Sequence, residues 1–273
     1  MSGRTSYDAE RNSVGGAPCR SCRLKMVSRS TTRRWAPGPP LVLLHGHSMS
    51  ADRWIQTGYA DALADRFRVI VLDLRGHGES GKPHEADAYR LSLLRDDLER
   101  VLDACNAKSA HAWGYSMGGC VVEELAVASP ARVRSAVVGG WARSVRPPIE
   151  QDPRYAALER GIEAYVDLIG AQLTEAARQA FPRNDAAALL ASLQSASQWP
   201  SEAAALSCKV LRYAGELDLA YGRIRAAAEQ SDDQFVSLPG ATHPSAFADR
   251  AAILPAVLAF LEAASAKDAE RTS

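Results

Sequence analysis

Long apolar runs are missing from this chain: no stretch of about 18 consecutive apolar residues occurs, which excludes a membrane-spanning helix. Net charge is missing as well. The 32 Lys and Arg balance the 32 Asp and Glu, so the body of the protein offers no field for a polyanion, and no nucleic-acid partner is expected. The start has neither the apolar segment nor the small-residue cleavage site of a secretory signal, and the expected location is cytoplasmic. Cysteine is sparse, with five in 273 residues. Cys105, Cys120 and Cys208 fall in or beside predicted elements and read as small buried apolar residues. Cys19 and Cys22 form a lone C-x-x-C, without the two further ligands of a zinc site or the strand–helix–strand surroundings of a redox motif. No internal repeat is present.

What is there fits one large α/β domain with a small inserted unit. Residues 1–38 hold seven Arg and one Lys against Asp8 and Glu10, and their low apolar content predicts a basic, flexible extension. From Pro39 onward, short β-branched runs alternate with longer helical ones. Strands are predicted at Leu41–Leu44, Arg68–Leu72, Ala110–Gly114, Arg134–Val138, Cys208–Tyr213 and Gln234–Leu238. Helices are predicted over 51–66, 89–105, 117–128, 219–230 and 246–264. The strand signal disappears across 141–206, where Ala-rich helical segments near 155–170, 174–180 and 185–195 are broken by prolines. This pattern predicts a core of 39–140 and 207–264, a helical lid at 141–206 and a charged, fraying tail at 265–273. The fold class is α/β, a mostly parallel central sheet with helices on both faces.

The chemistry centres on Gly114-Tyr-Ser-Met-Gly118, a Gly-x-Ser-x-Gly directly after a predicted strand and before a predicted helix. A nucleophile at the tip of such a turn takes strained dihedrals, and its neighbours two positions away must be small. A serine hydroxyl also needs a base, an orienting carboxylate and two oxyanion donors. His243 is the only histidine downstream of Ser116 and is the candidate base. Asp218, at the end of the turn Ala214-Gly-Glu-Leu-Asp218, is the candidate orienting acid, with Glu216 as its rival. The Met117 N–H and the His47 N–H are the candidate oxyanion donors. His45, His47 and His77 lack a carboxylate or cysteine at a diagnostic spacing, so no metal is expected. Met49, Trp54, Trp141, Tyr155 and Trp199 are candidates for the wall of a substrate pocket, ordinary packing being the competing account.

With these residues assembled, the chain resembles the α/β-hydrolase fold superfamily over about residues 39–264. The marks are Leu43-Leu-His-Gly-His-Ser48, Asp73-Leu-Arg-Gly-His-Gly-Glu-Ser-Gly81, Gly114-Tyr-Ser-Met-Gly-Gly119, Gly215-Glu-Leu-Asp218 and Gly240-Ala-Thr-His243. The resemblance implies a triad of Ser116, Asp218 and His243, with His47 and Met117 at the oxyanion. It is nearest in general look to small lidded carboxylesterases, enol-lactonases and carbon–carbon bond hydrolases, which need no cofactor. The implied substrate is a small-molecule ester or lactone, hydrolysed through an acyl-enzyme. Alternatives are a carbon–carbon hydrolase of ring-cleavage products, a perhydrolase-like enzyme or a ligand-binding member of the fold. Epoxide hydrolases and haloalkane dehalogenases carry aspartate where this chain has Ser116. Relatives also begin with an apolar β-hairpin. Here the Arg-rich run Cys19–Arg34 offers only fragments such as Leu24-Lys-Met-Val27, and an atypical sheet edge is expected.

Overall fold

The central strands are mostly apolar and buried on both sides, as in Leu41–Leu44 and Val69–Leu72, because the sheet they form is covered on both faces. A computed structural model of the chain describes residues 23–26, 38–145, 148–170, 181, 184–202 and 205–272. Six parallel strands, β2 (Pro40–Leu44), β3 (Arg68–Asp73), β4 (Ala110–Tyr115), β5 (Val133–Gly139), β6 (Lys209–Gly215) and β7 (Gln234–Leu238), build most of one sheet. A short antiparallel β1 (Arg23–Met26) completes the order β1-β3-β2-β4-β5-β6-β7.

Successive residues of β2 and β3 serve opposite layers, as the period of a strand requires. Leu41, Leu43, Val69 and Val71 pack with Trp54, Tyr59, Phe247 and Ile253. Those partners come from α1 (Asp52–Gln56), α2 (Tyr59–Leu63), α9 (His243–Ala248) and α10 (Arg250–Thr272). Val42, Leu44, Ile70 and Leu72 pack on the other side with Leu94 and Leu98 of α3 (Leu91–Ala104) and Val121 and Leu125 of α4 (Met117–Ala128).

Strand order reverses at β2, which lies between β3 and β4. The loops leaving β2 and β4 therefore flank a crevice at the carboxyl ends of the strands, the place where open α/β sheets bind ligands.

Between β5 and β6 stands a helical insertion of α5 (Pro153–Glu159), α6 (Ile162–Ile169) and α7 (Ala186–Ala196), with its own apolar centre of Leu158, Tyr165, Phe181, Leu189 and Leu193. After β6 comes α8 (Tyr221–Ser231).

Three expectations need correction. The extension over 1–38 was expected to lie outside the core, yet Arg23–Met26 pairs with β3 from Asp73 to Ile70. Pairing asks only for backbone donors and acceptors, so a basic run can supply an edge strand. The single helix over 51–66 is two short ones, broken where Gly58 takes φ +75°. The tail expected to fray from 265 continues α10 as far as Thr272.

Cys19, Cys22 and the helix predicted near 174–180 lie outside the described residues. Cys105 is buried and free, Cys120 is buried, and Cys208 is partly buried and free. Among the described residues no helix is long and apolar enough to cross a membrane.

Candidate active site

Strand β4 ends at Tyr115 and helix α4 begins at Met117, leaving Ser116 alone in the turn at φ +53° and ψ −115°. For a non-glycine residue this costs on the order of 1–3 kcal/mol and persists only where the surroundings over-determine it. They do so here. The Ser116 N–H donates to the Gly139 carbonyl at 2.8 Å, and the Ser116 carbonyl accepts from the Cys120 N–H at 3.2 Å. A Cβ at Gly118 would stand 2.3 Å from the Leu44 carbonyl oxygen, so only glycine lets α4 approach β2 this closely. Ser116 thereby lines a cavity of about 290 Å³ together with His47, Met117, Asp218 and His243.

The carboxylate and the imidazole are joined. Asp218 follows β6 in a turn closed by its own N–H on the Gly215 carbonyl at 3.0 Å. Its Oδ1 accepts the Ala220 N–H at 2.8 Å, and its Oδ2 accepts His243 Nδ1–H at 2.6 Å. This bond fixes the tautomer and leaves Nε2 as the basic nitrogen. Burial pushes the Asp218 carboxyl up, but the hydrogen bond and charge of His243, with the Ala220 N–H, outweigh it and hold the group below the usual carboxylate range.

The rival Glu216 is exposed and accepts from Ser237 Oγ at 2.9 Å, away from this pair. His243 is the first residue of α9, behind a capping box of Thr242 and Ser245. Its carbonyl accepts a hydrogen bond from the Tyr115 hydroxyl, and the two rings lie 5.2 Å apart. No hydrogen bond joins Ser116 Oγ to His243 among the described residues. Such bonds are often long before substrate arrives.

Opposite this pair lies the loop after β2. Neither the His47 N–H nor the Met117 N–H donates a hydrogen bond among the described residues. The Met117 amide also belongs to the unsatisfied first turn of α4, where negative charge is favoured.

The nearby imidazoles are structural. His45 Nδ1–H donates to the Gly46 carbonyl at 2.8 Å while its Nε2 accepts the Leu74 N–H at 3.1 Å. His77 donates to the Arg75 carbonyl at 3.0 Å, and His47 Nε2–H to the Leu189 carbonyl of α7 at 3.1 Å. Burial pushes His45 down to about 4 and His47 and His77 down to about 3. All three are therefore neutral near pH 7. Among the described residues no group of three or more His, Cys, Asp or Glu could hold a metal ion.

Of the five residues expected to wall a pocket, Trp141 and Trp199 line the cavity. The Trp141 indole N–H donates to Glu123 Oε2 at 3.0 Å, and Arg212 Nη1 holds Glu123 Oε1 at 2.6 Å. Trp54, Met49 and Tyr155 do not line it, which corrects the expectation. Trp54 is fully buried between Tyr59, Trp113 and Phe247, at ring separations of 5.3, 5.1 and 4.9 Å, because α1 turns its apolar side to the sheet. Met49 packs on the same layer, and Tyr155 packs against the insertion's own apolar centre.

Sequence reasoning missed Tyr115 and Glu123, and also Arg154, which lines the cavity. Tyr115 sits inside the pentapeptide itself. The pair Glu123-Glu124 on an otherwise apolar helix was the available signal for Glu123.

Residues 39–158 match a family model described as alpha/beta hydrolase fold. A protein of Azorhizobium caulinodans, named provisionally as a carbamate hydrolase, is 38% identical over 133 residues, 47% of this chain and 48% of that one. A pimeloyl-[acyl-carrier protein] methyl ester esterase of Aeromonas hydrophila is 36% identical over 107 residues, 39% of each chain. The matched stretches thus span about half, or less, of these relatives' lengths. The enol-lactonase of Burkholderia xenovorans superposes with a TM-score of 0.76 at 22% identity, covering 88% of this chain and 96% of that one. With its sheet order, its strained serine turn and these likenesses, the chain has the α/β-hydrolase fold.

Proposed function

We propose that the chain is a serine hydrolase of small carboxylic esters or lactones, working through an acyl-enzyme. The observation that carries this reading is the Asp218–His243 hydrogen bond of 2.6 Å beside a cavity that also holds Ser116 in its strained turn.

His243 Nε2 takes the proton of Ser116 Oγ as Oγ bonds to the substrate carbonyl carbon. The resulting oxyanion receives the His47 and Met117 N–H groups, both otherwise without a protein acceptor among the described residues. Collapse breaks the carbon–oxygen bond to the leaving alcohol, which departs with the proton from His243. Water then adds by the same route, giving the acid and restoring Ser116. Asp218 holds the imidazole in its tautomer and stabilises the imidazolium as it forms. A second carbonyl chemistry, such as carbon–carbon cleavage, would use the same groups, but no contact in the site favours it over ester hydrolysis.

The test is hydrolysis of 4-nitrophenyl esters from acetate to octanoate, with Ser116→Ala protein as background. The expected result is a rate that vanishes in the variant and peaks at a short acyl chain, as the small cavity suggests. A rate of equal size in the variant would overturn the assignment.

A further inference from the structure

The cavity beside Ser116 contains charges for which the acyl-transfer reading has no use. Besides Asp218, its lining includes Asp152, Arg154 and Arg223. Asp152 is the N-cap of α5 and accepts the Arg154 backbone N–H at 3.0 Å. The same carboxylate takes the Arg154 side chain through Nε at 2.9 and 3.1 Å and through Nη2 at 2.5 Å. One edge of the guanidinium is thus fixed. Its Nη1 group, with two further N–H donors, has no partner among the described residues.

The placement of this group distinguishes it from a surface ion pair. The Arg154 side chain retains 42% of its exposure and Asp152 19%, and both lie in the wall of a concave site. Burial works against the Asp152 charge, yet the Arg154 side chain holds its carboxyl below the usual range, so the pair stays ionised. Arg154 also stands near the oxyanion loop: after burial and His77, its charge is the next influence keeping His47 neutral. An arginine with one edge clamped by a carboxylate is a pre-oriented fork for a second carboxylate, since both ends of a guanidinium accept bidentate partners. Much of the remaining lining is apolar, with Met117, Trp141, Leu193 and Trp199 among it. This suits a few methylene groups. Arg223, on α8 near Asp218, adds a positive charge at the same cavity.

We propose that Arg154, oriented by Asp152, is a carboxylate-binding subsite, and that the preferred substrates are esters or lactones whose acyl part ends in a second, ionised carboxylate. The reaction part of this statement rests on the serine-hydrolase reading; the binding part does not.

The test compares two esters with the same six-carbon acyl chain, mono-4-nitrophenyl adipate and 4-nitrophenyl hexanoate. The expected result is a kcat/KM ratio favouring the adipate by about tenfold or more, the scale of a charge-assisted hydrogen-bonded pair. Arg154→Gln should bring the ratio to about one, and Arg154→Lys should fall between, because an ammonium supplies charge without the fork. Thermal melting of each variant checks that it is folded.

In parallel, adipate is titrated calorimetrically into Ser116→Ala protein with and without Arg154→Gln. Binding that weakens about tenfold or more on loss of Arg154 is expected. A wild-type ratio of one or less, or a ratio unmoved by Arg154→Gln, overturns the subsite while leaving the reaction intact. No turnover of either ester, with adipate binding that depends on Arg154, keeps the subsite and removes the reaction assignment. Adipate binding that is absent, or indifferent to Arg154, also overturns the subsite.

Discussion

The parallel core and the helical insertion hold their parts of the site by different means. In the core, Ser116, Asp218 and His243 follow strand ends, and the first two are fixed by their own N–H groups donating to the Gly139 and Gly215 carbonyls and by the Ala220 N–H donating to Asp218. The insertion packs on itself through Leu158, Tyr165, Phe181, Leu189 and Leu193, and reaches the core through Ala196 and Trp199 in the core's apolar layer, through Ala188 and Ala191 against Tyr89, and through a few polar links. These include His47 Nε2–H to the Leu189 carbonyl, Asn184 Nδ2–H to the Ser48 carbonyl at 3.2 Å, and the Trp199 indole N–H to the Tyr89 carbonyl at 3.3 Å. A scaffold of the first kind fixes reacting groups to within fractions of an ångström. One of the second kind can vary its lining without disturbing them. On the proposed function, the difference amounts to a division of labour, with the acyl-transfer groups on the core and much of the cavity wall on the insertion.

The strongest way to break this comparison is on the core side. Asp218→Asn should lower kcat by about 10³- to 10⁴-fold, because the amide no longer holds the imidazole in its tautomer. Glu216→Gln, which alters only an exposed contact to Ser237, should stay within about twofold. Steady-state rates on one ester decide it. Equal losses in the two variants would mean that the acid is not assigned by the hydrogen bond to His243.

Acid comes next in size and acts at the junction of the two regions. His45, His47 and His77 are held neutral in the folded state, at about 4, 3 and 3, while the unfolded chain protonates near 6.5. Between those limits the unfolded chain binds more protons. Stability therefore is full above about pH 6.5 and falls as pH drops toward about 4 for His45 and about 3 for His47 and His77, each histidine contributing at most ~1.4 kcal/mol per pH unit. Asp218, whose carboxyl is depressed, loses its contribution only at lower pH, as pH falls from the unfolded value near 3.9 through its folded one. Urea midpoints measured at pH 7 and pH 5 test this. A pH-independent midpoint would mean that the three imidazoles are not desolvated as the burial of the loop implies.

The smallest effect belongs to the insertion. Asn184→Ala removes the bonds to the Ser48 and Phe181 carbonyls and should cost about 1 kcal/mol. It should raise KM by roughly threefold with kcat within about twofold, because a looser insertion weakens binding without moving the core groups. A matching fall in kcat would show that the insertion also holds the oxyanion loop in place, and the two regions would have to be treated as one.

Legibility in the sequence follows the same divide. Ser116, Asp218 and His243 announce themselves because an elbow, a strand-end acid and a downstream histidine each impose a local residue requirement. The alternating layers of β2 and β3 are equally local. Trp54 and Met49 misled because an apolar residue beside a motif reads the same whether it faces a cavity or the core; only the direction of α1 decides. The clamp on Trp141 joins Glu123 to Arg212 across 89 positions, and no local pattern encodes a contact of that span. The edge strand Arg23–Met26 was only partly legible: the fragment Leu24-Lys-Met-Val27 overlaps it, but backbone pairing leaves no stronger signature in a basic run.

The central claim is that Ser116 becomes covalently acylated. The most direct measurement is intact-protein mass spectrometry after rapid mixing with 4-nitrophenyl butyrate and acid quench, followed by peptide mapping. The account predicts a mass increase of one butyryl group, located at Ser116 and absent from Ser116→Ala protein. Turnover of the ester with no adduct on the wild-type chain, or an adduct of the same size in Ser116→Ala, would contradict it.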